Sequence, residues 1–188
     1  MFRFVACKEK VLNRGIAPDE FLLTLVNWGK TAHEDIFAPM TRDEIYVSVH
    51  EVLGPFSPVG RPHHRKAVML EVLRVLEGFE SSWRWDAGVD TTNADSNQPC
   101  TMEAGAFQVS GNSMDFHPSL EALVMNVAGT LNCHKFQEVT KANHPFAVEY
   151  CARLLRFTTQ HHGPVKHLKM HPWLSRDAVN EFEGALAE

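Results

Sequence analysis

The chain lacks most of the features that assign a protein quickly. No apolar run approaches the length of about 18 residues that a bilayer-spanning helix needs. The N-terminus, MFRFVACKEKVLNRG, has neither the apolar stretch nor the small-residue cleavage site of a secretory signal. Synthesis as a soluble cytoplasmic product is therefore expected. Basic residues are in the minority, and 18 Lys and Arg against 23 Asp and Glu leave a formal net charge of −5. That balance speaks against nucleic acid, which requires a basic footprint. The four cysteines, Cys7, Cys100, Cys133 and Cys151, form no CxxC pair and are too few for a disulfide framework. Buried thiols and one or two disulfides both remain open. A Gly-rich phosphate loop, a Ser-centred elbow and a dinucleotide fingerprint are all missing.

What is present is the composition of an ordinary globular protein. With 188 residues, 44% of them hydrophobic and 22% charged, the chain can bury a sizeable core. The pattern is mainly helical. Pro18, Asp19 and Glu20 precede an apolar stripe of Phe21, Leu22, Leu25 and Trp28, which predicts a helix over 18–29. Thr41-Arg42-Asp43-Glu44 reads as a capping box opening a helix that Gly54-Pro55 stops. Residues 54–64 are a turn-rich connector, dividing an N-terminal helical subregion (1–61) from the rest (62–188) of one compact domain. A helix follows Pro62, with Met69, Val72, Leu73, Leu76 and Phe79 at helical spacing. The polar stretch 84–101 then abandons periodicity and forms a loop or small irregular hairpin. Further helices are predicted from Pro118 to about Val127, from Asn143 to about Thr159 where Gly163-Pro164 ends it, and from Ser175 or Arg176 onward. The expected class is mainly α (α+β), with a small irregular β region after the third helix.

The candidate chemistry lies at the end of that third helix. On a helical wheel Glu80 falls within about 40° of Met69, Leu73 and Leu76, on the buried stripe, whereas Glu71 points to the opposite face. Partial burial and the negative end of the helix dipole both disfavour a charged Glu80, as a general acid requires. Ser81 and Ser82 can hydrogen-bond locally, and Trp83 and Trp85 offer flat surfaces for sugar rings, although core tryptophans are at least as common. Asp86, Asp90, Asp95 and Glu103 compete for the role of a second carboxylate. Glu103, directly before Gly105-Ala106-Phe107-Gln108, is favoured, with Asp90 next.

Glu80-Ser81-Ser82-Trp83 resembles the catalytic Glu-Ser motif of goose-type lysozymes and soluble lytic transglycosylases. Gly105-Ala106-Phe107-Gln108-Val109 is similar to their Gly-Leu-Met-Gln segment, and Ala152-Arg153-Leu154-Leu155 resembles a later helix lining the glycan groove. The likeness spans roughly residues 66–165. It implies a lysozyme-like helical domain, Glu80 as catalytic acid, and Ser81, Trp83, Phe107, Gln108 and Tyr150 at the sugar site. It also implies a muramidase that cleaves the MurNAc-β-1,4-GlcNAc bond of peptidoglycan without a cofactor. A chain that is acidic and signal-less further resembles type VI secretion effectors. Such a toxin would act in the periplasm of a target cell and have an immunity protein that blocks its cleft, with no membrane insertion and no nucleic acid. The net charge works against steering to an anionic wall, so recognition must come from the cleft.

Other readings compete. A lytic transglycosylase would act on the same bond, but no Tyr-Asn-Ala-Gly equivalent follows His161-His162-Gly163, which favours hydrolysis. A cysteine-dependent wall amidase or peptidase would use Cys7, Cys100 or Cys133, yet none of them clearly starts a helix where its pKa would fall. A non-enzymatic binding module would keep the cleft without depending on Glu80. Eleven histidines include the i,i+4 pair His167 and His171, but flanking prolines shorten that helix and no HExxH exists, so no metal is expected.

Overall fold

The computed structural model describes residues 2–41, 43–56, 61–89 and 94–188. Its helices are α1 (Asp19–Thr31), α2 (Glu44–Leu53), α3 (His64–Glu80), α4 (Pro118–Ala128), α5 (Cys133–Ala142), α6 (His144–Phe157), the short α7 (Gly163–Lys166) and α8 (Arg176–Ala187). Between α3 and α4 lies a two-stranded antiparallel hairpin, β1 (Glu103–Ala104) and β2 (Val109–Ser110), with Glu103 opposite Ser110 and Ala104 opposite Val109. The molecule is mainly helical, as the periodicities predict. One hydrophobic cluster runs from Phe4 to Leu186 and takes residues from both sides of the 54–64 connector.

Helix α3 is the axis of the fold. Every residue from His64 to Gly78 except Arg65 is buried, and α8, α1 and α6 all pack on it. A helix enclosed on all sides needs no polar face. The wheel reading of Glu71 is therefore corrected, because Glu71 is as buried as the apolar stripe. Its charge is met by Arg74 one turn on, through Nε–H···Oε2 at 2.7 Å and Nη2–H···Oε1 at 2.8 Å. The Ser175 amide donates to the same carboxylate at 2.8 Å, and Arg74 also donates to the Glu9 and Trp173 carbonyls. The pair thus ties the N-terminal segment and the entry to α8 onto α3, which compensates the cost of burying two charges.

The capping box is also corrected. Arg42 lies outside the described residues, and α2 is preceded by Asp43, whose side chain makes no cap. Asp43 instead receives Arg65 and Arg156, each at 2.7 Å. Two fixed guanidinium groups outbid one backbone amide for a single carboxylate. Helix α5 was not predicted from periodicity. Its N-cap is Asn132, accepting from the Lys135 amide, and Cys133 at its start is disulfide-bonded to Cys100. Gly163-Pro164 follows the end of α6 but opens α7, consistent with Pro in a first helical turn.

Candidate functional site

Helix α3 ends on Glu80, and the chain reverses there through two left-handed residues, Ser82 (φ 56°) and Trp83 (φ 60°). The reversal folds the Trp83 indole back onto the helix, where its N–H donates to the Arg74 carbonyl at 3.0 Å. Gly78 makes room, since a Cβ at that position would stand 2.8 Å from the Trp83 ring. Trp83 is consequently a core residue that shapes the helix end, not a sugar platform. Ser81 is buried as well, and its hydroxyl accepts from the Arg84 amide. Trp85 is stacked on His144, with ring centroids 4.1 Å apart.

Glu80 itself stays partly accessible, with its side chain 18% exposed. His162, delivered by the turn between α6 and α7, places Nδ1 3.4 Å from Glu80 Oε1. The other ring nitrogen, Nε2, lies 3.8 Å from the Sγ of Cys151, in the middle of α6. His161 packs edge-on against the His162 ring, and burial together with His162 pushes its pKa down to about 3. One turn before Glu80, Glu77 is fully buried, and neither of its carboxyl oxygens has a hydrogen-bond partner among the described residues. Desolvation drives its pKa well above the usual carboxylate range. Burial, then the nearby Glu80 and Glu77, raise that of the Cys151 thiol. Glu77, Cys151 and His161 are thus all held in their neutral forms.

The hairpin carries the second half of the candidate site. Its turn requires left-handed backbone at Gly105 (φ 68°) and Gln108 (φ 46°). The Gly105 amide donates to the Ala87 carbonyl at 3.0 Å, which fastens the turn to the segment leaving Glu80. Gln108 is half-buried and spends its side-chain N–H on the Gly105 carbonyl. Glu103, half-buried on β1, accepts from the Ser96 hydroxyl. Asp86 and Asp95 are exposed, and Asp90 lies outside the described residues.

Two further residues expected at the sugar site are in the core. Phe107 is fully buried, packed edge-on against Trp85. Tyr150 is fully buried too, and its hydroxyl bonds that of Ser113 at 2.7 Å while Ser113 donates to the Ser110 carbonyl. It anchors β2 to α6 rather than facing a groove. His162, which does reach Glu80, and Cys151 behind it carried only weak signals: a His-His pair before Gly-Pro, and a lone thiol on an amphipathic helix. Periodicity does not reveal which distant side chain meets a helix end.

The remaining cysteines leave little room for thiolate chemistry. Cys100 and Cys133 are joined. Cys7 and Cys151 are free but completely buried, and burial is the largest cause of the raised pKa of each. No cluster of three or more metal-binding side chains occurs among the described residues, and no described helix is long and apolar enough to cross a membrane. No family of known proteins, no curated protein and no solved structure matches the chain.

Proposed function

We propose that the protein is a peptidoglycan glycoside hydrolase acting on the MurNAc-β-1,4-GlcNAc bond, with Glu80 as the general acid. The observation that carries the reading is the placement of Glu80. It ends a helix that is buried along most of its length, it is itself mostly sheltered yet reachable, and a small hairpin bearing Glu103 is fastened to the segment that leaves it. A carboxylic acid so placed protonates the leaving glycosidic oxygen, and a second carboxylate activates or orients water. Glu103, or an aspartate in 86–95, would take that second role.

The alternatives are weighed by the same geometry. A lytic transglycosylase uses the same single acid and differs only in its product ends. The cysteine-dependent reading is disfavoured, because a thiol whose pKa is raised chiefly by burial resists the deprotonation that a nucleophile needs. As a wall-degrading toxin the enzyme would reach the periplasm of a competing cell, and its producer would carry an inhibitor that covers Glu80.

Digestion of purified peptidoglycan by the wild type and by Glu80→Gln tests the proposal. Release of muropeptides by the wild type and its loss in the variant are expected. Reducing ends in the product masses mark hydrolysis and anhydro ends mark lytic cleavage. Undiminished release by the variant rules the mechanism out.

A further inference from the structure

Cys151, His162 and Glu80 form a line, with ring nitrogens 3.8 Å from the thiol and 3.4 Å from the carboxyl. The three residue types are those of a cysteine hydrolase, but the burial is reversed. Here the thiol is at the closed end, fully buried in the middle of α6, and the carboxyl is at the open end. The His162 ring is 3% exposed, and both of its nitrogens are occupied by the two neighbours, so it cannot turn without losing both contacts.

We propose that Cys151 and His162 are positioning residues for Glu80: the thiol donates S–H to His162 Nε2, fixing the tautomer in which Nδ1–H donates to Glu80 Oε1. The inference rests on the reading of Glu80 as the general acid. The direction of the line follows from donor and acceptor capacity. Oε1 of Glu80, 3.4 Å from Nδ1, is an acceptor, so the proton belongs on Nδ1, and in a neutral imidazole Nε2 is then left to accept from the thiol. The groups near the ring are consistent with this arrangement. Glu77 and the thiol are held in their protonated forms and His161 is neutral, so none of the three brings a charge to His162.

The arrangement has a chemical consequence. With Oε1 held by Nδ1–H, the acidic proton sits on Oε2, the oxygen left for the substrate. When Oε2 gives its proton to the glycosidic oxygen as the C–O bond breaks, Glu80 becomes a carboxylate and the bond from Nδ1–H becomes charge-assisted, hence stronger. No proton passes along the line, and the gain falls on the transition state. A cationic His162 would act in the opposite sense by stabilising the carboxylate before the reaction.

The test begins with the folded wild-type protein and nitrogen-15 NMR of the histidine rings at neutral pH. The expected result for His162 is the neutral tautomer protonated on Nδ1. A ring protonated on Nε2, or a cationic ring, overturns the proposal. In Cys151→Ala the tautomer preference should relax, whereas Cys151→Ser, which keeps a donor, should preserve it; an unchanged tautomer in Cys151→Ala also overturns the proposal. In peptidoglycan cleavage, Cys151→Ala and His162→Phe should lose about tenfold or more in kcat with KM little changed, and the alkaline limb of the pH profile, which the general acid sets, should shift. His162→Asn, which keeps an N–H near the position of Nδ1, should recover most of that loss. Equal rates and pH profiles for His162→Phe and His162→Asn refute the positioning role. Full activity in Glu80→Gln would instead defeat the glycosidase reading, while the tautomer measurement still decides whether the line exists.

Discussion

Replacing Glu77 by Met should stabilise the protein, and by more the higher the pH. Glu77 is fully buried without a partner, and desolvation alone raises its pKa well above 4.5. Between 4.5 and its folded value, the native state keeps a proton that the unfolded state has lost. Stability therefore falls as pH rises above 4.5, by about 1.4 kcal/mol per pH unit for as long as the native state keeps the proton. Below pH 4.5 both states are protonated and the contribution vanishes. Glu71, also raised, acts in the same sense. His64, His144 and His161, all lowered by burial, act oppositely below pH 6.5, where their unfolded forms bind protons that the native forms refuse. These contributions are common to both proteins and cancel in the difference. Urea unfolding of the wild type and Glu77→Met at pH 5 to 8 isolates Glu77. The gap between the two curves should widen as the pH rises from 5. Parallel curves would refute the reasoning, since they would mean that the native state gives up the Glu77 proton as readily as the unfolded chain.

The buried pair behaves differently. Arg74→Met leaves Glu71 as an uncompensated charge in the core and should cost about 3–5 kcal/mol, whereas Glu71→Leu combined with Arg74→Met should recover most of it in the same denaturation assay. Opening the Cys100–Cys133 bridge by Cys133→Ser frees a loop of 33 residues' separation and should lower stability by about 3–4 kcal/mol, read as a drop in Tm that added reductant does not enlarge. Gly105→Ala forces a side chain onto left-handed backbone, with its Cβ 3.1 Å from the Thr140 carbonyl, and should cost at least about 1–2 kcal/mol by urea unfolding.

Several elements were legible because their causes are local. The spacing of Phe21, Leu22, Leu25 and Trp28 marks α1, Gly54 stops α2, and Asn143 with Pro145 opens α6, since a cap or a stripe needs only its neighbours in the chain. The end of α3 at Glu80 is of the same kind. The roles of Trp83, Phe107 and Tyr150 were not, because an aromatic ring that could face a groove and one that fills the core have the same local pattern. Gly78 is the clue that the indole folds back, and it becomes meaningful only once the left-handed turn at Ser82 and Trp83 is seen. Asp43 shows the same limit in a polar group, its cap role displaced by arginines from α3 and α6.

By itself, then, the amino-acid order determined a mainly helical chain, the helix that closes on Glu80, and the polar loop and turn that follow it. The tertiary structure alone decided that Glu71 and Arg74 share the core, that Cys100 meets Cys133, and that His162 stands between Cys151 and Glu80. The reason is physical. Helix periodicity and capping depend on residues a few positions apart, whereas ion pairs, disulfides and the partners of a carboxyl depend on which faces of distant elements are pressed together to bury apolar surface.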